Sequence, residues 1–123
     1  MLLIADSGST KTEWAYVNKN EHQHQFFLTQ GMNPYFTSDK EINSTLDKVI
    51  ATLKGKSVEK IVFFGSGCNS TEKGKEMKNL FKRKFSIENI EIHSDLVGAA
   101  IALFGDKPGI AVILGTGANS GFF

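Results

Sequence analysis

Several short apolar runs of this chain stop abruptly at clusters of glycine, hydroxyl and acidic residues. The runs and their terminating clusters are residues 2–5 before Asp6-Ser7-Gly8, residues 60–64 before Gly65-Ser66-Gly67, and residues 109–114 before Gly115-Thr116-Gly117. A short apolar run that ends in turn-forming residues is typical of a buried strand. We therefore expect a sheet of buried strands with glycine turns at the strand ends.

The composition limits the class of protein. A length of 123 residues with 41% hydrophobic residues fits one domain with one core. A net charge of +1 provides no basic field for nucleic acid, and Cys68 alone cannot form an internal disulfide. The first apolar run is too short for a signal peptide or a membrane-spanning helix. We expect a soluble domain of the cytoplasm, with neither a nucleic acid nor a membrane as partner.

The order of the predicted elements indicates an α/β fold. Three strands at residues 2–5, 12–17 and 25–29 follow one another closely, which predicts an antiparallel meander. Ser38 and Glu41 then form a capping-box pattern ahead of an apolar helical stripe. Later strands and helices alternate, so right-handed crossovers place those strands parallel beside the meander. The predicted order is βββαβαβα plus the start of a second hairpin, giving a mixed sheet with helices on both faces.

The turn after the first strand has the composition of a phosphate-binding loop. Its candidate ligand-binding residues are Gly8, Ser9, Thr10, Lys11 and Thr12. Glycine lets successive backbone N–H groups point at one phosphate, and the hydroxyl and ammonium groups add donors. Asp6 would repel a phosphate unless a Mg²⁺ ion lies between them, so we expect Asp6 to be a metal ligand. The alternative is a hairpin turn with a capping aspartate.

A second glycine turn, at Gly115, Thr116 and Gly117, repeats the pattern. Alone it is explained better by an ordinary glycine hairpin. Ligands of open α/β sheets gather at the carboxyl ends of the strands, where both turns are predicted to lie. The pair therefore favours a site that holds a polyphosphate from two sides.

Asp95 follows the strand predicted at residues 89–93 and lies near the N-terminus of a helix that Ser94 is predicted to cap. It is a candidate base for a substrate hydroxyl. Placement of an acid near a helix N-terminus for the helix dipole is the alternative, and His93 is a competing base. Residues 65–70 imitate a dinucleotide fingerprint with Ser70 at the third glycine position, which keeps dinucleotide binding open as a minor alternative.

These motifs, taken together, resemble the N-acetylglucosamine kinase group of the actin-like sugar kinases. The chain is also similar to the BadF/BadG/BcrA/BcrD-type ATPases, and its element order resembles the ribonuclease H-like domain of the actin, Hsp70 and sugar kinase superfamily. The segments that carry the resemblance are residues 6–14, 31–34, 65–67, 94–99 and 115–119. One departure is Ser7, which stands where a second glycine is usual.

The resemblance implies a reaction and roles for the residues. Asp95 would take the proton of a sugar hydroxyl, the 6-OH of an amino sugar, as that oxygen attacks the γ-phosphate of MgATP. Asp6 would hold Mg²⁺, and the two glycine turns would bind the phosphates. The residues that would orient the sugar are Asn33, Ser66, Gly67 and Asn119.

The resemblance also implies that the chain is the N-terminal half of a longer enzyme. Residues 1–114 would form the first domain, and residues 115–123 would hold the second phosphate loop and the start of a missing domain with the adenosine pocket. The open strand edge at the chain's end makes self-association an alternative to a monomer. Two rival functions remain, an ATPase activator of the dehydratase type and an actin-like nucleotide switch. A single cysteine argues against the iron–sulfur cluster of an activator.

Overall fold

The computed structural model of the chain describes residues 1–18, 23–68, 71–97, 110–114 and 118–122. The strands and helices within these ranges are β1 (Leu2–Ser7), β2 (Lys11–Asn18), β3 (Gln23–Gln30), α1 (Asp39–Leu53), β4 (Lys60–Gly65), α2 (Thr71–Phe85), β5 (Ile90–Ser94), β6 (Ile110–Leu114) and β7 (Ala118–Phe122).

The first five strands form one mixed sheet in the order β3-β2-β1-β4-β5. β1, β2 and β3 are an antiparallel meander, and β4 and β5 run parallel to β1. This confirms the predicted mixed α/β fold. The two crossovers through α1 and α2 explain why β4 and β5 extend the sheet on the side of β1 away from the meander.

Alternation along the strands divides the sheet into a core face and an open face. In β2, Thr12, Trp14 and Tyr16 are buried, whereas Glu13 is exposed. The indole of Trp14 stacks on Phe27 with ring centroids 6.0 Å apart, and it also contacts Phe81 of α2. Strand side chains point alternately to opposite faces, so Trp14 and its neighbours fix which face the helices cover.

Both described helices cover the same face of the sheet. α1 and α2 contact each other, and their apolar stripes join one core with Leu3, Trp14 and Phe63. The predicted third helix begins at residues 95–97, where the Val97 N–H donates to Ser94 Oγ at 3.3 Å, and its remainder lies outside the described residues. The expectation of helices on both faces is therefore met for one face within the described part of the chain.

The start of α1 confirms the capping prediction, and its end is followed by a left-handed residue. The Glu41 N–H donates to Ser38 Oγ at 3.2 Å, while the Glu41 carboxylate accepts the Ser38 hydroxyl at 3.1 Å rather than a backbone N–H. The helix ends at Leu53, and Lys54 already has a left-handed φ of 52° ahead of Gly55. Two successive residues with positive φ, Lys54 and Gly55, therefore follow the helix.

The hairpin of β6 and β7 pairs Ile113 with Asn119 across its two antiparallel strands. Its turn, residues 115–117, lies outside the described residues. The predicted boundary between residues 114 and 115 stays a prediction. No helix within the described ranges is long and apolar enough to cross a membrane.

The cap of α1 provides a stability test. Ser38→Ala removes the side-chain acceptor of the Glu41 N–H, so the free energy of unfolding should fall by about 1 kcal/mol in urea titrations. Ser44 is exposed in the middle of the same helix, and Ser44→Ala should change it by less than about 0.5 kcal/mol. Equal effects of the two substitutions would contradict the capping role of Ser38.

Candidate functional site

The parallel strands end in one row across the sheet. Ser7 of β1 is the register partner of Gly65 in β4, and Gly65 is the register partner of Ser94 in β5. The residues that follow each strand therefore leave the sheet side by side. The structure brings together at this edge the turn after β1, the glycine junction (residues 65–67) and Asp95.

The first glycine turn (residues 8–11) is closed by its own backbone. The Gly8 N–H donates to the Lys11 carbonyl at 2.9 Å. The side chains of Ser9, Thr10 and Lys11 are exposed, and Lys11 pairs with Glu13 at 3.1 Å. The turn thus presents hydroxyl and ammonium groups to solvent at the site edge.

Thr12 differs from its neighbours, because its hydroxyl is buried. Thr12 Oγ1 donates to the Gln30 carbonyl at 2.9 Å and lies 2.8 Å from Ser7 Oγ. Both side chains have 0% exposure. The expectation that Thr12 binds phosphate is therefore corrected. Thr12 lies in β2 with its side chain on the core face, where its hydrogen bonds support the turn.

The Gly31 segment (residues 31–34) packs directly on the first glycine turn. The Gly31 N–H donates to the Thr10 carbonyl at 3.1 Å. A Cβ on Gly31 would collide with the backbone of Gly8 and Ser9. Only glycine allows this approach, so the two backbone segments are in direct contact at Gly31.

Asn33 of the Gly31 segment packs against the glycine junction. Its side chain is 6% exposed, and its Oδ1 accepts the Tyr35 N–H at 3.0 Å. Gly67 lies against this amide so closely that a Cβ on Gly67 would collide with Asn33 Oδ1. The structure therefore places two predicted sugar-binding residues in contact.

Ser66, the third predicted sugar-binding residue, has a buried hydroxyl. Its N–H donates to the Ser7 carbonyl at 2.9 Å, which fixes the junction beside β1. Ser66 Oγ is buried and has no hydrogen-bond partner among the described residues. A buried hydroxyl of this kind costs free energy until a ligand or water satisfies it. The fourth predicted residue, Asn119, lies in β7, and its side chain is not among those that the structure describes.

Acidic side chains gather on the open face beside the turn. Asp6 and Glu13 are register partners, and both are exposed. Partial burial raises the pKa of Asp6 above its ordinary value, the charges of Glu13 and then Asp95 raise it further, and Lys11 opposes them. Asp6 and Asp95 are thus close enough to repel each other, and a cation between them would relieve that repulsion.

Asp95 has one carboxylate oxygen engaged locally. Its Oδ1 accepts the Leu96 N–H at 3.0 Å, and the side chain is half-buried. His93, the competing base, stacks on Phe64 with ring centroids 5.4 Å apart and lies 3.6 Å from the Glu91 carboxylate. The described contacts of His93 are with Phe64 and Glu91, whereas the charge of Asp95, after that of Glu13, acts on Asp6.

Cys68 forms a buried wall of the same region. Burial raises the pKa of its thiol to about 12, and the charge of Asp95 adds to the rise. The thiol is therefore uncharged at neutral pH and a poor nucleophile.

The residues present fit a hydrated divalent cation with phosphates. The described residues hold no group of three His, Cys, Asp or Glu side chains that would bind a metal ion by themselves. Mg²⁺ commonly takes one or two carboxylates and completes its shell with water and phosphate. Asp6 beside the first glycine turn, with the charge of Asp95 nearby, matches that donor set. The second glycine turn at Gly115, Thr116 and Gly117 lies outside the described residues.

Sequence reasoning missed Glu13 as a member of this site. Its alternation along β2 predicted only that it faces away from Trp14. The antiparallel register, which pairs Asp6 with Glu13, is the signal that identifies it. Pairing the residues of the predicted hairpin outward from its turn could have identified Asp6 and Glu13 as partners.

Two glycines with nearly equal backbones test the contact between Gly67 and Asn33. Gly67 and Gly55 have φ values of 78° and 79°, but a Cβ on Gly55 would meet nothing within 4 Å. Gly55→Ala should lower the free energy of unfolding by about 1–2 kcal/mol, the cost of a left-handed residue with a Cβ. Gly67→Ala should cost roughly 1–3 kcal/mol more, because Asn33 must move. Equal losses in urea titrations would contradict the contact.

Comparison with known proteins finds sugar kinases. A candidate N-acetylglucosamine kinase from Porphyromonas gingivalis matches with a TM-score of 0.89 and 37% identity, over 100% of this chain and 44% of that one. The inorganic polyphosphate/ATP-glucomannokinase of Arthrobacter sp. strain KM matches in fold, with a TM-score of 0.62 and 18% identity, over 98% of this chain and 57% of that one. No protein-family profile matches the chain, and no curated protein does.

This chain spans less than two thirds of either matched protein. The similarity to BadF-type ATPases stays a prediction. The chain has the mixed α/β fold of the actin-like sugar kinases, and its resemblance to the N-acetylglucosamine kinase group is confirmed over its whole length.

Proposed function

We propose that this chain carries the phosphate turn, the metal-binding carboxylate and the catalytic base of an ATP-dependent sugar kinase. The acceptor is the 6-OH of N-acetylglucosamine or a related amino sugar. The observation that carries the proposal is the meeting of Asp6, Asp95, the first glycine turn and Asn33 at one sheet edge, in a chain 37% identical to a candidate N-acetylglucosamine kinase.

Asp6 is the proposed ligand of Mg²⁺, largely through water. Mg²⁺ bound there neutralises the charge of the phosphates and orients them for transfer. Asp6 suits this role because its neighbours Glu13 and Asp95 disfavour its bare negative charge. A cation at Asp6 would therefore be held by an existing excess of negative charge.

The first glycine turn is the proposed phosphate cradle. Ser9, Thr10 and Lys11 are exposed on it and supply hydroxyl donors and a cation. Lys11 pairs with Glu13 across an exposed surface, an interaction weak enough to be exchanged for a phosphate. Gly115, Thr116 and Gly117 remain the proposed second phosphate loop.

Asp95 is the proposed general base. Its Oδ1 is held by the Leu96 N–H, so Oδ2 is the oxygen that would accept the proton of the sugar hydroxyl. Asn33, Ser66, Gly67 and Asn119 are proposed to orient the sugar. The Ser66 hydroxyl has no partner in the part of the chain that the structure describes, and this supports the assignment, since a sugar hydroxyl would satisfy it.

Sugar dependence distinguishes this function from its rivals. ADP release by the complete gene product should require the amino sugar. Release without any sugar would instead indicate an ATPase activator, and nucleotide binding without turnover would indicate a switch. The neutral, buried Cys68 gives no support to the activator.

Asp95→Asn tests the base. In the complete gene product it should lower sugar-dependent turnover at least ~100-fold, the lower end of the loss expected for a general base. Asp39→Asn is the matched control, because Asp39 is also an acid in the first turn of a helix, and it should leave turnover unchanged. Unchanged turnover in Asp95→Asn would remove Asp95 from the role.

Asp6→Asn tests the metal ligand without an activity assay. A raised folded-state pKa means that ionised Asp6 destabilises the ligand-free fold above that pKa and no longer does so once the pH falls below the ordinary value for aspartate. The melting temperature of Asp6→Asn should therefore exceed that of the wild type at pH 7, and the gap should close in acid. Added Mg²⁺ with ADP should raise the wild-type melting temperature more than that of Asp6→Asn. Equal responses to Mg²⁺ would contradict the assignment.

A further inference from the structure

Two fully buried hydroxyls join the first glycine turn to the Gly31 segment. Ser7 immediately precedes the turn and Thr12 immediately follows it. Ser7 Oγ accepts the Met32 N–H at 3.0 Å and lies 2.8 Å from Thr12 Oγ1. Thr12 Oγ1 in turn donates to the Gln30 carbonyl at 2.9 Å. Met32 and Gln30 are the two neighbours of Gly31.

The number of protons gives this chain of bonds one direction. Each hydroxyl has a single hydrogen to donate. Thr12 uses its hydrogen on Gln30, so the bond between the two hydroxyls must be made by the hydrogen of Ser7. The direction is therefore Met32 N–H to Ser7, Ser7 to Thr12, and Thr12 to the Gln30 carbonyl. Ser7 also lies 3.4 Å from the Gly8 carbonyl, a longer and weaker contact.

The chain of bonds is buried from Met32 to Thr12, which makes that part of it costly to break, whereas Gln30 at its other end is exposed. Ser7, Thr12 and Met32 have 0% exposure. If the turn moved relative to the Gly31 segment, the Met32 N–H and the Ser7 hydroxyl would lose their partners where water cannot replace them. The turn and the segment are therefore expected to move as one unit.

The same unit includes the glycine junction. The Ser7 carbonyl accepts the Ser66 N–H at 2.9 Å, and Gly67 abuts Asn33. The backbone of Ser7 thus contacts one proposed sugar-binding segment while its side chain contacts the other. Neither Ser7 nor Thr12 is exposed to a ligand, so they act through other residues.

We propose that Ser7 and Thr12 are positioning residues that couple nucleotide binding at the first glycine turn to sugar binding at Asn33. This inference rests on the proposed function for the identity of the two ligands. A nucleotide that orders the turn would order Met32 and Asn33 through the buried hydroxyls, so the sugar would bind to a segment already ordered. Such coupling is reciprocal, so each ligand should tighten the other by the same factor.

The test measures the dissociation constant of N-acetylglucosamine with and without Mg-ADP, by calorimetry on the complete gene product. The wild-type ratio should be at least ~5, the lower end for coupled sites. Thr12→Val keeps the shape but removes the hydroxyl, and Ser7→Ala removes the other one; both should bring the ratio close to one. Thr12→Ser keeps the hydroxyl and should keep the wild-type ratio.

Thr29→Val is the matched control for simple loss of stability. Thr29 is the cross-strand partner of Thr12, and its hydroxyl accepts the Trp14 Nε1–H at 2.8 Å. This variant should lower the melting temperature yet keep the wild-type ratio. A merely structural role of Thr12 would give the same pattern in Thr12→Val, and that result would overturn the proposal.

A second measurement separates this inference from the proposed function. Mg-ADP alone should slow hydrogen exchange of the Met32 amide in the wild type, although Met32 is buried away from the exposed side of the turn. An active, sugar-dependent kinase with a wild-type ratio of one would overturn the coupling and leave the proposed function intact. If the protein neither binds nor phosphorylates the sugar, the proposed function fails. Slower Met32 exchange with Mg-ADP would then still support the link between the first glycine turn and the Gly31 segment. Unchanged exchange would overturn that link.

Discussion

The pairing of β1 along both of its edges is the constraint on which the rest of the structure depends. β1 is antiparallel to β2 and parallel to β4, over the whole strand on each side. A slip of one residue would exchange the faces of Asp6 and Ser7. The carboxylate would then enter the core and the hydroxyl would reach the open face. The division of this site into an exposed acidic side and a buried hydroxyl side therefore follows from backbone register.

Much of the fold could be predicted because its signals are local. The turn-forming clusters mark the strand ends, and Ser38 with Glu41 marks the start of α1. Parallel crossovers then bring the ends of β1, β4 and β5 to one edge without any knowledge of side-chain packing. This is why Asp6, Ser66 and Asp95 could be assigned to one site from sequence.

What could not be predicted depends on register and on close approach. Glu13 joins the acidic side only because the hairpin pairs it with Asp6. The resemblance assigned the segments of Gly31 and Gly67 to the sugar, but it did not predict their close contacts. Gly31 is required where it meets the backbone of the first glycine turn, and Gly67 where it meets the Asn33 side chain. The left-handed Lys54 that follows α1 could not be predicted for a different reason, because a left-handed lysine has no local sequence signal.

The motif at the first turn combines two kinds of residue that look alike in sequence. Ser9 and Thr10 are exposed, whereas Ser7 and Thr12 are buried. All four carry a hydroxyl, so residue type alone assigns them the same chemistry. Strand alternation separates them, because Ser7 and Thr12 lie within β1 and β2 and the other two lie between those strands.

The single thiol of the chain has a practical consequence. Cys68 is buried, uncharged at neutral pH and next to the glycine junction. A maleimide or disulfide reagent can reach it only when this part of the molecule opens. The rate of labelling therefore reports the opening of the region between β4 and α2. No engineered probe is needed, since the sequence contains no other cysteine to compete for the reagent.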